Sequence, residues 1–397
     1  MEFQNKAIIL GVKIDDLPID LILKNIEQLL CSDNSDKQLK IFTPNPEICL
    51  KASKDEEYRN ILNSADINIP DGFGLKFGAI ILGEKLENRI TGTDLSAKML
   101  ESCEKNGHSV YILRREDSLA KVEDINKLFK TKYPNVKFKT GDLNIKKFLD
   151  CDDVLNDIND FSPKVLFVTL GMPAQEIWIN KFIKLLPSVK VAVGVGGAFD
   201  FFTGKKKRAP KVMREIGLEW LYRFYLEPKR LMRIKHATAD FFLACHAWKF
   251  RIMTAMRPNV LCVLRNKEGK YLIQKNAHFE NHWQFTQGGV DERESLEKSA
   301  LREMNEELGI APNFLRLIKK IPEKNSYVWP RYAQLLRGYK GQEQTALVFD
   351  FIGEDKDIHI AKSAEVEEIK WVDKNELIQL IHPHRRPFAA KIINYLE

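Results

Sequence analysis

No apolar run in the 397 residues approaches the roughly 18–20 that a membrane-spanning helix needs, which excludes an integral helical membrane protein. The first residues, MEFQNKAIILGVKIDD, lack a basic segment followed by a long apolar core, so no secretion signal is expected. Cysteine is sparse and scattered. Cys31, Cys49, Cys103, Cys151, Cys245 and Cys262 form no CxxC pair, which argues against structural zinc and for a reducing cytoplasm. Internal repeats and low-complexity stretches are also missing, so the chain reads as ordinary globular sequence. A hydrophobic share of 44% beside 29% charged residues agrees with that, and the length allows two domains, each with its own core.

What is present is unevenly placed. The chain carries a net charge of +7, yet residues 204–257 alone carry +10. Trp220, Tyr222, Phe224, Tyr225, Phe241, Phe242, Trp248 and Phe250 are interleaved with those basic residues. A basic, aromatic, amphipathic segment suits an anionic membrane surface, with nucleic acid or packing against another domain as the rival readings.

The sharpest signal is GGVDERESLEKSALREMNEELGI, from Gly288 to Ile310. Leu296, Ala300, Met304 and Leu308 recur every four residues, which predicts a helix stopped by Gly309. On it Glu303, Glu306 and Glu307 stand at i, i+3 and i+4, so three carboxylates share one face. Such crowding opposes the helix unless a hard cation such as Mg²⁺ neutralises it. A metal beside a glycine loop suits phosphate chemistry, because it binds phosphate oxygens and lowers the pKa of a water.

With Gly288, Glu294, Arg302, the three glutamates and Gly309 in register, this stretch resembles the Nudix hydrolase signature. The resemblance implies an α/β/α sandwich, metal binding and water activation by Glu303, Glu306 and Glu307 with Mg²⁺ (or Mn²⁺), and a structural pair between Glu294 and Arg302. Gly288 and Gly289 would face the substrate. RPNV at 257–260, WQFTQGG at 283–289, Tyr327, Pro330 and Gly341-Gln342-Glu343-Gln344 look like the RNA pyrophosphohydrolase and dinucleoside-polyphosphate hydrolase branch. There a glutamate beyond the box assists, and Glu365 fits. The implied substrate is a nucleotide or an RNA 5′ end. Thr286 stands where that branch usually has proline, and Ala346 where it often has a large aromatic.

The first half alternates strand-like and helix-like segments. Residues 7–14, 40–43, 109–113, 164–170 and 190–195 read as strands, and Pro46 to Asn63 as a helix capped by Asn45. That predicts an α/β layer with a largely parallel sheet, whose active residues follow the strands. Those stretches hold Thr43-Pro44-Asn45-Pro46, Pro70-Asp71-Gly72, Asn88-Arg89-Ile90-Thr91-Gly92, Gly171-Met172-Pro173-Ala174-Gln175-Glu176 and Gly194-Val195-Gly196-Gly197. Glycines there let backbone N–H groups approach phosphate. Taken singly, a DG turn is only a turn.

Taken in order, TPNPE, PDGFG, NRITGTDL, GMPAQE, GVGGAFDFFTGKKKRAP and LEWLYRFYLEPKR resemble the WecG/TagA/CpsF glycosyltransferases over residues 5–235. The resemblance implies a Rossmann-like α/β domain with a helical basic appendage and transfer without a metal or other cofactor. The donor would be a UDP-sugar of the N-acetylmannosamine type and the acceptor polyprenyl-diphosphate-linked. By the same resemblance Asp71 is the general base, Thr43 and Asn45 contact sugar or acceptor, Arg89 the diphosphate and Gln175 the donor. Gly194, Gly196 and Gly197 would lie near the nucleotide. Arg214, Arg223, Arg230 and Arg233 are the appendage's candidate arginines, Arg223 foremost. Leu113-Arg114-Arg115 replaces a glycine-rich turn of many relatives, which argues against nucleotide contacts there.

The expected organisation is a glycosyltransferase domain over 1–245 with its appendage at about 205–245, a linker at 246–256, and a Nudix domain over 257–397. The protein would be cytoplasmic, held peripherally at the membrane through residues 205–256. Two other readings remain at this point: a first half that only binds nucleotide or membrane, and a Nudix half that acts on UDP-sugars of the same pathway.

Overall fold

Val165–Val168 and Val191–Gly194 are continuous apolar runs with every residue buried, as strands covered on both faces require. In the computed structural model, which describes residues 6–32, 37–215, 217–226, 231–291, 293–360 and 365–396, they lie at the centre of a six-stranded sheet. Its order is Ile67–Asn68, Leu39–Phe42, Val191–Gly194, Val165–Val168, Val110–Arg115 and Phe138–Leu143, and every pairing is parallel. From Leu39–Phe42 the chain first adds an edge strand on one side and then continues on the other. That reversal opens a crevice at the strands' carboxyl ends.

Three local readings change. Residues 7–14 are a hairpin, Lys6–Ile9 paired antiparallel with Val12–Asp15, because Leu10 and Gly11 take positive φ of 51° and 83°. The helix expected from Pro46 to Asn63 is two, Pro46–Ala52 and Glu56–Asn63. Asp55 restarts it by accepting from Tyr58 N at 2.9 Å. The segment expected as a linker at 246–256 is helical to Thr254, and a strand starts at Met256. Phe241, Cys245, Trp248 and Ile252 form a buried stripe at helical spacing, which is why this stretch is helix.

The chain divides into two compact units: Met1–Phe250 with Leu335–Gly338, and Arg251–Gln334 with Tyr339–Glu397. In the second, Met256–Arg265 pairs parallel with Gly341–Phe351 and antiparallel with Thr286–Gly289 in a seven-stranded mixed sheet. One face packs Val260, Cys262 and Leu272 under Ala300, Met304 and Leu308 of the Leu296–Leu308 helix. The other packs Leu261, Val263 and Ile273 under Leu377, Phe388 and Ile392 of the two C-terminal helices. This is an α/β/α sandwich. Among the described residues no helix is long and apolar enough to cross a membrane.

Candidate active sites

The carboxyl ends of four neighbouring strands in the first unit border a cavity of about 390 Å³. Thr43 and Asn45 follow Leu39–Phe42, Gln175 follows Val165–Val168, Gly196 and Gly197 follow Val191–Gly194, and Arg115 ends Val110–Arg115. A second cavity of about 460 Å³ is lined by Phe73, Phe77, Trp220 and Phe242, with Arg89 and Glu219 among them. Asn45 and Asp71 line both.

Asp71 is held at that junction through its backbone. Its N–H donates to Pro44 O at 2.9 Å, and Gly92 N–H reaches its Oδ2 at 3.4 Å. Gly72, at φ 102°, makes the turn into the Phe73–Leu82 helix, a conformation a side chain would oppose. Asn45 caps the next helix with its Oδ1 on Ile48 N at 3.0 Å. Thr43 donates to Gly194 O at 2.9 Å and ties two strand ends together.

Gln175 is buried and its amide is committed at both ends. Its Oε1 accepts from Gly171 N at 3.2 Å and Gly196 N at 3.0 Å, while Nε2 donates to Glu176 Oε1 at 2.8 Å. Glu176, with no exposed surface, also accepts from Tyr58 OH at 3.1 Å. Burial pushes the Glu176 carboxyl up, and those hydrogen bonds oppose the rise. Gln175 thus joins the two glycine loops that border the cavity.

Arg89 belongs to the aromatic cavity. Its guanidinium lies 4.6 Å from the Phe73 ring centroid and donates to Arg214 O at 3.0 Å. Arg208, which sequence reasoning passed over, donates to Asp94 Oδ1 at 2.7 Å and Thr91 Oγ1 at 3.0 Å. Burial would raise Asp94, but hydrogen bonds from Arg208 and Thr91 and the charges of Arg208 and Arg214 take it below the usual carboxylate range. Arg223 lies on the Glu219–Leu226 helix, with its side chain outside what the structure describes, as are those of Arg230 and Arg233.

Arg114 and Arg115, where the resemblance argues against nucleotide contacts, line the first cavity with Asp117 and Ser118. Arg115 forks onto Asp117 at 2.5 and 2.6 Å. The strand runs to Arg115 and not to Leu113, which places both arginines inside the strand and Glu116 just after it.

In the second unit, Ser295 caps the Leu296–Leu308 helix and Gly309 closes it in the left-handed region. A side chain at Gly288 would meet Glu303, its Cβ falling 1.7 Å from Glu303 Cδ. Arg302 reaches Glu294 at 3.1 Å, Glu303 at 2.6 Å, Glu306 at 3.2 Å and Gly289 O at 2.9 Å. Glu307 is buried and accepts from Gln274 Nε2 at 2.7 Å. Burial first, then the charges of Glu303, Glu365 and Glu306, push Glu307 up to about 7, the Gln274 bond opposing. Burial likewise raises Glu303, against the pull of Arg302. The charge of exposed Glu365 adds to the rise of both.

This donor set fits a hard divalent cation: oxygen ligands only, crowded and partly desolvated, with charges that repel until something positive joins them. The three glutamates are near one another without being gathered at a point. Among the described residues, the trio of potential ligand atoms within 4.8 Å is Glu27, Cys31 and His108. Glu303 and Glu306 are instead drawn to Arg302.

Each unit thus holds its own candidate site, a strand-end cavity in the first and a carboxylate cluster in the second. The chain matches the glycosyl transferase WecG/TagA/CpsF family over residues 7–255 and belongs to it, and residues 255–393 match the NUDIX domain. It is 32% identical over 232 residues to an N-acetylglucosaminyldiphosphoundecaprenol N-acetyl-beta-D-mannosaminyltransferase of Staphylococcus aureus, covering 58% of this chain and 88% of that one. Among solved structures, it is similar to a C. elegans Ap4A hydrolase binary complex at 18% identity. The TM-score is 0.28, over 35% of this chain and 97% of that one. An E. coli dihydroneopterin triphosphate pyrophosphohydrolase gives 20% identity and a TM-score of 0.29, over 35% and 98%.

Proposed function

We propose that the first unit transfers an N-acetylmannosamine-type sugar from a UDP donor to a polyprenyl-diphosphate-linked acceptor at the cytoplasmic face of the membrane. The observation that carries this is the position of Asp71, on the wall of both cavities at once. The strand-end cavity suits a nucleotide-sugar, with backbone N–H groups and Arg115 near the phosphates and base. The aromatic cavity suits a lipid-linked diphosphate, with Arg89 for the charge and Phe73, Phe77 and Phe242 for the chain. Asp71 takes the proton of the acceptor hydroxyl; that oxygen bonds to the anomeric carbon, and UDP leaves with the electron pair of the broken bond. The exposed Trp220, Tyr225, Leu243, Phe250 and Met253 support peripheral contact with an anionic bilayer.

The second unit, on this reading, hydrolyses a phosphoanhydride of a nucleotide or RNA 5′ end. Glu303, Glu306 and Glu307 would hold Mg²⁺ or Mn²⁺, with Glu365 beside them, and the metal when bound would acidify a water and neutralise phosphate charge. Gly288 keeps room for Glu303, and Arg302 fixes the loop through Glu294 and Gly289 O.

Asp71→Asn tests the first reading. Transfer should fall by at least about a thousandfold while UDP-sugar binding by calorimetry stays within about threefold. Normal transfer by that variant overturns the base assignment.

A further inference from the structure

Gln287 and Gly288 are consecutive in the Thr286–Gly289 strand, so their side-chain directions point to opposite faces of the sheet. The Gly288 direction meets Glu303, and Gln287 therefore serves the other face. There its Oε1 accepts from Gln344 Nε2 at 2.6 Å and from Arg385 Nη1 at 2.8 Å. Arg385 Nε donates to His282 Nε2 at 3.2 Å. His282 in turn stacks on His382, centroids 4.1 Å apart and planes 19° from parallel. Burial first, then Arg385 and His382, bring His282 down to about 4, so it is neutral near pH 7 and accepts through Nε2.

Arg385 is thus a half-buried cation whose hydrogen bonds go to neutral acceptors. Among the described residues no carboxylate stands within ion-pair distance of it, and its Nη2 and the Gln287 Nε2 have no protein acceptor. Burial lowers the Arg385 pKa, with only Tyr327 acting against that. Keeping such a charge without a counter-ion costs free energy, and a ligand anion would recover it. The two imidazole faces already lie against each other, which favours a charge contact here over base stacking. A guanidinium with donors to spare, fixed in its plane by two bonds, matches a phosphate's oxygens.

We infer that Arg385, oriented by Gln287 and His282, binds a phosphate of the Nudix substrate other than the one held beside Glu303, Glu306 and Glu307. This rests on the Nudix reading above. It makes the substrate a polyphosphate that reaches across the Thr286–Gly289 strand.

The test uses the full chain, Arg385→Gln and Arg385→Lys, with nucleoside triphosphate as substrate and inorganic tripolyphosphate as probe. Arg385→Gln should raise KM at least about tenfold with kcat within about threefold, and Arg385→Lys should recover part of the loss. Tripolyphosphate should raise the melting temperature of the wild type and not of Arg385→Gln. Unchanged KM in Arg385→Gln, whatever its melting temperature, overturns the inference and leaves the Nudix reading intact. A change in base preference at unchanged tripolyphosphate binding also overturns it. If the wild type hydrolyses no phosphoanhydride yet binds tripolyphosphate through Arg385, the phosphate site stands and the hydrolase reading fails.

Discussion

Thr286 donates its hydroxyl hydrogen to Gln274 Oε1 at 2.7 Å, which turns the Gln274 amide so that Nε2 meets Glu307. Thr286, Gln274 and Glu307 are all buried, so a wrong orientation of the amide would leave buried polar groups unpaired. This is the position where the resembling branch usually carries proline, which has no hydroxyl to give. Thr286→Val keeps the shape and removes the donor. Hydrolysis by the second unit should fall roughly tenfold, about the effect of one buried hydrogen bond. Transfer by the first unit should not change. Steady-state assays of both activities on one preparation check this.

Glu307 supplies the pH dependence. Its carboxyl is raised to about 7, chiefly by burial, from an ordinary value near 4.5. A raised carboxyl favours the protonated form in the fold, so the associated stability is complete below the unfolded pKa and is lost as pH rises through about 7. Glu307→Gln cannot ionise. Without metal, its second unit should melt close to the wild type at pH 4.5 and higher than it at pH 8. The difference is on the order of 3 kcal/mol at most. Divalent metal should erase or reverse the difference, because it rewards the ionised carboxylate in the wild type alone. Calorimetric scans at the two pH values, with and without Mg²⁺, check both halves of the statement.

Gly288 is a steric prediction. An added Cβ would fall 1.7 Å from Glu303 Cδ, so Gly288→Ala must push that carboxylate away from its neighbours. The displacement can be absorbed by rotating a partly buried side chain, so the unit should fold with a loss of about 1–2 kcal/mol. Hydrolysis should drop about a hundredfold, since a small misplacement of a catalytic group has that scale of effect. Circular dichroism and activity measured together separate the two outcomes.

Much of this was legible in the residues because the chemistry is local. The spacing of Glu303, Glu306 and Glu307 depends only on helical pitch, and the strand runs VLFV and VAVG declare a buried parallel sheet by composition. What was not legible depends on packing at a distance. No periodicity says that Asp71 borders two cavities, because the second is closed by Trp220 and Phe242, more than a hundred residues further on. The helix at 246–254 was hidden because Leu243, Phe250 and Met253 form an exposed apolar stripe opposite the buried one, so the expected contrast between faces vanishes. Gln175 was expected to face the donor. Its two bonds to glycine N–H groups come from loops that only the sheet order brings together.

Tyr58 bonds to Glu176 and Glu176 to Gln175, and among the described residues neither Tyr58 nor Glu176 lines the cavity, so a role there would be one of positioning. Tyr58→Phe leaves one oxygen of a fully buried carboxyl without its donor, which should cost about 1–3 kcal/mol of stability. If the role were support alone, the transfer kinetics of the folded protein would be untouched. If Glu176 aims the Gln175 amide, Glu176→Ala lets that amide turn and release the Gly171 and Gly196 loops. KM for the UDP-sugar should then rise about five- to tenfold, with kcat changed less. Glu176→Gln keeps an oxygen facing Gln175 Nε2 and should recover most of that loss. Donor KM and kcat for the three variants, measured well below each variant's melting temperature, decide between support and positioning.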